Sequence, residues 1–351
     1  MSPGAGRILV LDLETELPAA GLEALQQQLG AAGLAGRLVE AGWCRLLRVP
    51  LPAGSPEPAP SAWRLAGVRR AFVQEDGSLL AARSWREADS VIAARGHRLG
   101  GGAWQLIAGP CSVEDRVQMR EVAHAAAEAG AGWLRGGAFK PRSSPYHFQG
   151  LGAPALELLR EAADERGLAV ITELLDLRDL PLLAACSDVL QVGSRNSQNL
   201  PLLKELGRCG RPVLLKRGFG CTLEETVLAA EYVLCHGNPQ VAICERGIRS
   251  FEPAMRFTFD LGALPWLKQH VHLPVVADPS HATGDARLVP AVARGALAAG
   301  ADGIMVEIHP RPDRSISDPD QALSLEAFGR LAAELRALAA ALGRSGGEGS
   351  A

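Results

Sequence analysis

From residue 104 onward, short apolar runs alternate with amphipathic stretches at a steady spacing. The apolar runs fall at 104–109, 133–138, 168–174, 189–193, 212–217, 240–245, 273–278 and 303–308, each of strand length. Each is followed by a segment with the helical repeat of apolar positions, at 114–129, 154–166, 178–186, 199–207, 222–236, 254–269, 285–299 and 324–342. Eight strand–helix units in about 240 residues match the size of a (β/α)8 TIM barrel. A doubly wound open sheet is the alternative, but the GxGxxG turn it often carries is absent after the first strand.

Ahead of residue 104 the pattern is different. A strand is predicted at 7–13, a helix at 21–33 with Leu22, Leu25 and Leu29 on one face, and strands at 38–40 and 43–49. Residues 51–62 are too rich in Pro, Ala and Ser for regular structure. A short helical segment at 63–68 and extended segments at 70–74 and 78–82 complete a small α+β domain over residues 1–85. Residues 86–103 read as a linker, 104–342 as the barrel and 343–351 as a disordered tail.

Composition narrows the function classes. With 47% apolar and 21% charged residues, a 351-residue chain has material for a large core and one smaller domain. A formal charge of -3 gives no basic surplus, which argues against nucleic acid as the partner. No signal peptide is read at the start, where Asp12 and Glu14 break the apolar run after Arg7, and no stretch reaches membrane-spanning length. The expectation is a cytoplasmic protein with neither a nucleic-acid nor a membrane partner. Seven cysteines without a CxxC pair read as reduced thiols, mostly packed as small apolar residues.

In a barrel of this kind the chemistry gathers where strands end. Those ends deliver Cys111; Arg135 with Lys140, Arg142 and the hydroxyl of Ser143; Glu173; Arg195; Lys216; Glu245 with Arg246; Asp278 with His281; and Glu307 with His309. Asp318 follows in the loop after the last strand. Any one of these reads blandly as a strand-end ion pair, but unpaired buried charges cost several kcal/mol each, so the whole set does not. Cys111, His281, Glu307 and Asp318 are one soft, one borderline and two hard donors, suited to one divalent metal ion, with Mn, Fe, Co or Zn all compatible. Arg135, Lys140, Arg142, Arg195, Lys216 and Arg246 are more cations than one carboxylate needs. They fit two anionic substrates, at least one a phosphate ester.

With these residues assembled, the chain resembles 3-deoxy-D-arabino-heptulosonate 7-phosphate (DAHP) synthase of the type I group that carries an N-terminal ferredoxin-like domain. The resemblance runs through IAGPCSVE (107–114), LRGGAFKPRSSPYHFQGLG (134–152), VGSRNSQN (192–199), VLLKRG (213–218), ICERGIRSFE (243–252), DPSHATG (278–284) and VEIHP (306–310). It implies that Cys111, His281, Glu307 and Asp318 hold the metal, and that Arg135, Arg195, Lys216 and Arg246 surround phosphoenolpyruvate. It also implies that Lys140, Arg142 and Ser143 meet erythrose 4-phosphate, with Lys140 between the two substrates and Glu173 contacting substrate or water. The implied catalytic set is Lys140, Cys111 and His281, and the implied reaction is an aldol-like condensation.

A sister family, 3-deoxy-manno-octulosonate 8-phosphate synthase, uses the same chemistry on a five-carbon sugar phosphate. It typically has Asn-Arg where this chain has Pro141-Arg142, so Pro141 favours the four-carbon aldose. A non-catalytic regulatory barrel is a further alternative, disfavoured because each expected position holds a competent residue. The resemblance also implies a homotetramer and feedback by Tyr or Phe through residues 1–85, where the Pro-rich 51–62 occupies the place of a second helix. Strands at 7–13 and 43–49 argue against a fused, all-helical chorismate mutase.

Overall fold

The computed structural model describes residues 6–54, 60–63, 65–75, 77–142 and 144–346. Its N-terminal part runs β1 (Arg7–Leu13), α1 (Ala19–Ala31), β2 (Arg37–Glu40), β3 (Arg45–Pro50), a 3-10 turn (Pro60–Trp63) and β4 (Val68–Glu75). The four strands form one antiparallel sheet in the order β2-β3-β1-β4. Leu9, Leu11 and Leu13 alternate toward α1, where Leu25 and Leu29 complete a small core with Leu47 and Val49. Among the described residues a 3-10 turn stands where a second helix was expected, and residues 78–82 form no strand, with Ala82 making an isolated bridge to Val271. The opposite face of β1, with Ile8 and Val10, merges into the main core.

Residues 91–100, expected within a linker, form a hairpin of β5 (Val91–Ala94) and β6 (His97–Gly100). Its two-residue turn is Arg95-Gly96, with φ of 52° and 81°. Positive φ at both central positions gives a turn whose twist matches the paired strands. Ile92 and Leu99 on this hairpin pack with Ile107, Trp133 and Val276 inside the barrel.

The barrel begins with β7 (Gln105–Gly109), α2 (Arg116–Glu128), β8 (Trp133–Arg135), α3 (Ala153–Asp164), β9 (Ala169–Glu173) and α4 (Leu180–Cys186). It continues through β10 (Val189–Val192), α5 (Leu200–Arg208), β11 (Val213–Lys216), α6 (Leu223–Cys235), β12 (Val241–Glu245) and α7 (Ala263–His270). It finishes with β13 (Val275–Ala277), α8 (Pro279–Thr283), α9 (Val289–Ala298), β14 (Gly303–Glu307) and α10 (Leu325–Ala341). Strands β7 to β14 are all parallel and close on themselves, with β14 paired to β7, which excludes the open sheet. The helix expected from 254 begins only at Ala263, and residues 246–262 are a loop. Pro253 offers no backbone donor there, and Phe257 leaves the helical path to stack on Phe219, 4.9 Å between centroids.

Period-two alternation explains how this barrel makes a site. Ile107, Trp133, Ile171, Val189, Leu214, Cys244, Val276 and Met305 form one apolar layer inside the barrel. Two residues further along each strand, on the same face, stand Gly109, Arg135, Glu173, Gln191, Lys216, Arg246, Asp278 and Glu307. The hairpin and the apolar layer fill the barrel's lower end, so the polar layer opens only upward. Gly109 is required by close approach, since a Cβ there would lie 1.8 Å from the carbonyl oxygen of Arg135.

The N-terminal sheet and the segment after it dock at the end where the strands begin. Trp43 Nε1 donates to the Leu234 carbonyl at 3.0 Å, and Ser90 Oγ meets His272 Nδ1 at 2.8 Å. The buried carboxylate of Glu231 accepts from the backbone N–H groups of Leu80 and Ala81 at 2.6 and 2.9 Å. Residues 343–346, expected as disordered, lie against the barrel: Trp104 N donates to the Ser345 carbonyl at 3.2 Å, and Arg344 Nη1 to that of Leu297 at 2.9 Å. Residues 347–351 of that expected tail lie outside the described residues. Among the described residues, no helix is long and apolar enough to cross a membrane.

Candidate active site

A cavity of about 250 Å³ opens above the polar layer. Its lining includes all six cations picked out from the strand ends: Arg135, Lys140, Arg142, Arg195, Lys216 and Arg246. A seventh, Arg256, comes from the 246–262 loop; among the described residues two carboxylates line the cavity, Glu173 and Asp318. Ser143 lies outside the described residues.

Some of this charge is balanced by neighbouring carboxylates. Lys216, 4% exposed, has its ammonium 2.5 Å from Asp278 Oδ2, and Arg135 Nη1 is 3.4 Å from Glu307 Oε2. Arg142 and Arg256 reach Asp318 at 4.0 and 3.2 Å. Among the described residues Lys140, Arg195 and Arg246 have no carboxylate at ion-pair distance. Lys140 Nζ instead donates to the Cys111 carbonyl and approaches its Sγ, at 2.9 and 3.0 Å. Arg195 and Arg246 lie over the Phe219 ring, at 5.4 and 4.9 Å, and Arg246 over Phe257 at 4.0 Å. A ring face attracts a guanidinium without neutralising it. Burial pulls Arg246 down to about 10, Asp278 opposing and Arg256 adding to the drop, so it stays cationic at neutral pH.

Beside the cations stands a donor cluster. Single ligand atoms of Cys111, His281 and Asp318 lie within 4.8 Å of one another, and Glu307 adjoins them, its Oε2 3.5 Å from His281 Nε2. The Cys111 thiol donates to Asp318 Oδ2 at 3.1 Å and accepts from Ser317 Oγ at 3.2 Å. Burial, then Glu307, push that thiol's pKa up, while Lys140 opposes. Burial raises Glu307 to about 7, Arg135 resisting and Asp318 contributing. Burial lowers His281 to about 3 despite Asp278, so its imidazole is neutral. Burial works against charge on Asp318 as well, but Arg256 and the Cys111 hydrogen bond hold it at about 2. Glu307 Oε1 is buried without a hydrogen-bond partner. A buried acceptor left over beside a thiol, a neutral imidazole and a carboxylate fits a divalent cation, which would take all four donors.

Supporting residues orient these donors. Asp278 precedes α8 and accepts from the His281 backbone N–H at 3.1 Å, while its other oxygen is 2.9 Å from His281 Nδ1. That fixes the ring so that Nε2 faces the cluster. The sequence offered the Asp-x-x-His spacing as a signal, yet it assigned Asp278 no role. Glu114 accepts from the Ile316 backbone N–H at 2.9 Å and faces His309 Nε2 at 3.4 Å, bracing the loop that carries Asp318. His309 therefore lies behind the cluster, and exposed His147 lines the cavity. Gly193 leaves room for the Glu173 carboxylate in this rotamer, since a Cβ there would lie 1.9 Å from Glu173 Oε1. Nothing in the sequence pattern marks Ser317, Gln321 or Arg256, the last standing in a stretch with helical spacing.

The chain is similar to known proteins over most of its length. The family model described as the DAHP synthetase I family matches residues 88–342. A phospho-2-dehydro-3-deoxyheptonate aldolase of Thermotoga maritima is 49% identical over 264 residues, 75% of this chain and 78% of the relative. A 2-dehydro-3-deoxyphosphooctonate aldolase of Rhodopseudomonas palustris is more distant, 29% identical over 263 residues, covering 70% and 91% of the two chains. The crystal structure of the DAHP synthase of Thermotoga maritima superposes with a TM-score of 0.77 at 40% identity, covering 97% of this chain and 99% of that one.

Removing the carboxylate charge of Asp278 should leave Lys216 buried and unpaired. Breaking a buried pair from one side costs about 3 kcal/mol or more. Asp278→Asn is therefore expected to lower unfolding stability by about that amount in urea denaturation at pH 7; a loss under about 1 kcal/mol would contradict the pairing.

Proposed function

The chain belongs to the DAHP synthetase I family, and from that premise we propose that it condenses phosphoenolpyruvate with erythrose 4-phosphate and water. The products are DAHP and phosphate, in the first step of the shikimate pathway. C3 of phosphoenolpyruvate bonds to the aldehyde carbon, water adds at C2, the aldehyde oxygen gains a proton, and phosphate leaves by C–O cleavage. The observation that carries this reading is the cation surplus beside the donor cluster, with seven cationic side chains and two carboxylates around one cavity.

The family resemblance assigns the roles. Arg135, Arg195, Lys216 and Arg246, all in the cavity lining, suit the phosphate and carboxylate of phosphoenolpyruvate. Lys140 and Arg142, with Ser143, suit the sugar phosphate. Holding two mutually repelling anions at reacting distance is chiefly positioning and electrostatics. Lys140 Nζ, 3.0 Å from Cys111 Sγ and facing the cavity, is the group assigned to deliver the proton to the aldehyde oxygen. Cys111, His281, Glu307 and Asp318 would hold one divalent ion, with Mn, Fe, Co or Zn compatible. Such an ion supplies Lewis acidity toward the aldehyde oxygen or a positioned water. Family resemblance extends the reading to a homotetramer, to Tyr or Phe as effector, and to a cytoplasmic location. Light scattering and turnover at saturating Tyr and Phe test the first two.

The deciding assay is phosphate release from phosphoenolpyruvate after chelation, with and without Mn2+, using erythrose 4-phosphate or arabinose 5-phosphate. Metal-dependent turnover with the four-carbon sugar alone is expected. Turnover with the five-carbon sugar would transfer the assignment to the sister family, and none with either would favour a non-catalytic barrel. Lys140→Met should lose at least a hundredfold in kcat, in the range of lost acid catalysis; near-normal turnover at saturating substrate would remove Lys140 from that role.

Metal affinity should depend on pH with a definite sign. Below about 7 Glu307 holds a proton that an incoming cation must displace, and the raised Cys111 thiol holds another. Affinity should rise between pH 6 and 8, by roughly tenfold per unit for each proton released. Chelator competition at several pH values measures this, and a flat profile would contradict it.

A further inference from the structure

The two oxygens of Glu307 are in unlike situations. Oε2 accepts from Gln321 Nε2 at 2.8 Å and is 3.4 Å from Arg135, whereas Oε1 has no hydrogen-bond partner. A carboxylate does not prefer one oxygen over the other, so whatever holds Oε2 decides that Oε1 is the one left over. Gln321 does the holding. It is 1% exposed, and an amide in such a place could present either its oxygen or its nitrogen.

Arg256 settles which. Its Nη1 donates to Gln321 Oε1 at 2.7 Å, so only the NH2 end remains for Glu307. The same nitrogen donates to Asp318 Oδ1 at 3.2 Å, while Asp318 Oδ2 takes the Cys111 thiol at 3.1 Å. One guanidinium, reaching in from the loop that the sequence pattern mistakes for a helix, thereby fixes both carboxylates of the donor set. It acts directly on one and through a buried amide on the other. Gln321 follows Asp318 by three residues across a 3-10 turn (Pro319–Gln321), so the ligand and the amide are carried by one rigid segment.

We propose that Gln321 and Arg256 are positioning residues that set the divalent-cation affinity of the cluster by presenting Glu307 Oε1 and restraining Asp318, without touching the ion. The proposal rests on the metal reading given above. Arg256 is the outer end of this relay: its side chain is 37% exposed, whereas Gln321 is buried.

The test is binding of Mn2+ and Zn2+ to the metal-stripped full chain, by competition with a chromophoric chelator, alongside thermal unfolding of the stripped protein. Gln321→Met keeps the length and removes the hydrogen bonds. Its dissociation constant is expected to rise roughly ten- to a hundredfold, the usual effect of losing a residue that orients a ligand. The unfolding midpoint of the stripped protein should change little. In a Glu307→Ala background the same substitution should have almost no further effect on affinity, because the residue it acts through is gone. Arg256→Gln, at an exposed position, should weaken binding in the same direction. Equal affinities for wild type and Gln321→Met, or an undiminished effect in the Glu307→Ala background, would overturn the positioning role while leaving the metal reading intact. Failure of the wild type to bind either ion would overturn the metal reading and this inference with it.

Discussion

Lys140 and Arg246 are withdrawn from water with no carboxylate at ion-pair distance among the described residues, and that is the condition to which the rest of the mouth is adapted. A buried cation costs several kcal/mol unless something compensates it. Here carbonyls, a thiol and two aromatic faces soften the cost without cancelling the charge. Lys216 and Arg135 are balanced by Asp278 and Glu307 of the same layer, so the surplus falls to the cations that lack such a partner. A mouth built in this way is a receptor for anions, and its size and charge suit two of them.

The donor cluster and the cation field are one network rather than two adjacent features. Glu307 pairs with Arg135 and receives Gln321; Asp318 receives Cys111 and Arg256; Asp278 joins Lys216 to His281. Each carboxylate that orients or supplies a donor also answers a cation. Each of these carboxylates therefore belongs to both the cation field and the donor cluster.

Much of this could be read from the chain because a parallel barrel repeats one rule. Alternate residues on each strand face inward, and two steps past the apolar layer the same face carries Arg135, Glu173, Lys216, Asp278 and Glu307. Strand position alone therefore pointed to the site. What resisted reading lies where that rule stops. The 91–100 hairpin turns on Arg95-Gly96, a pair that lacks the usual Asn or Asp signal, and its four-residue strands are too short to show a period. Residues 254–262 carry helical spacing but are claimed by the Phe257–Phe219 stack, which brings Arg256 to the mouth. Gln321 is an ordinary amide in a loop, and nothing local distinguishes it from a solvated one. Its role exists only through contacts to residues 14 and 65 positions away.

The most direct test of the account is a crystal structure of the full chain with Mn2+ and phosphoenolpyruvate, using anomalous scattering to locate the ion. The account predicts one ion held by Cys111, His281, Glu307 through Oε1, and Asp318, with the phosphate and carboxylate of the ligand among Arg135, Arg195, Lys216 and Arg246. An ion bound elsewhere, or a ligand outside that group of cations, would contradict it.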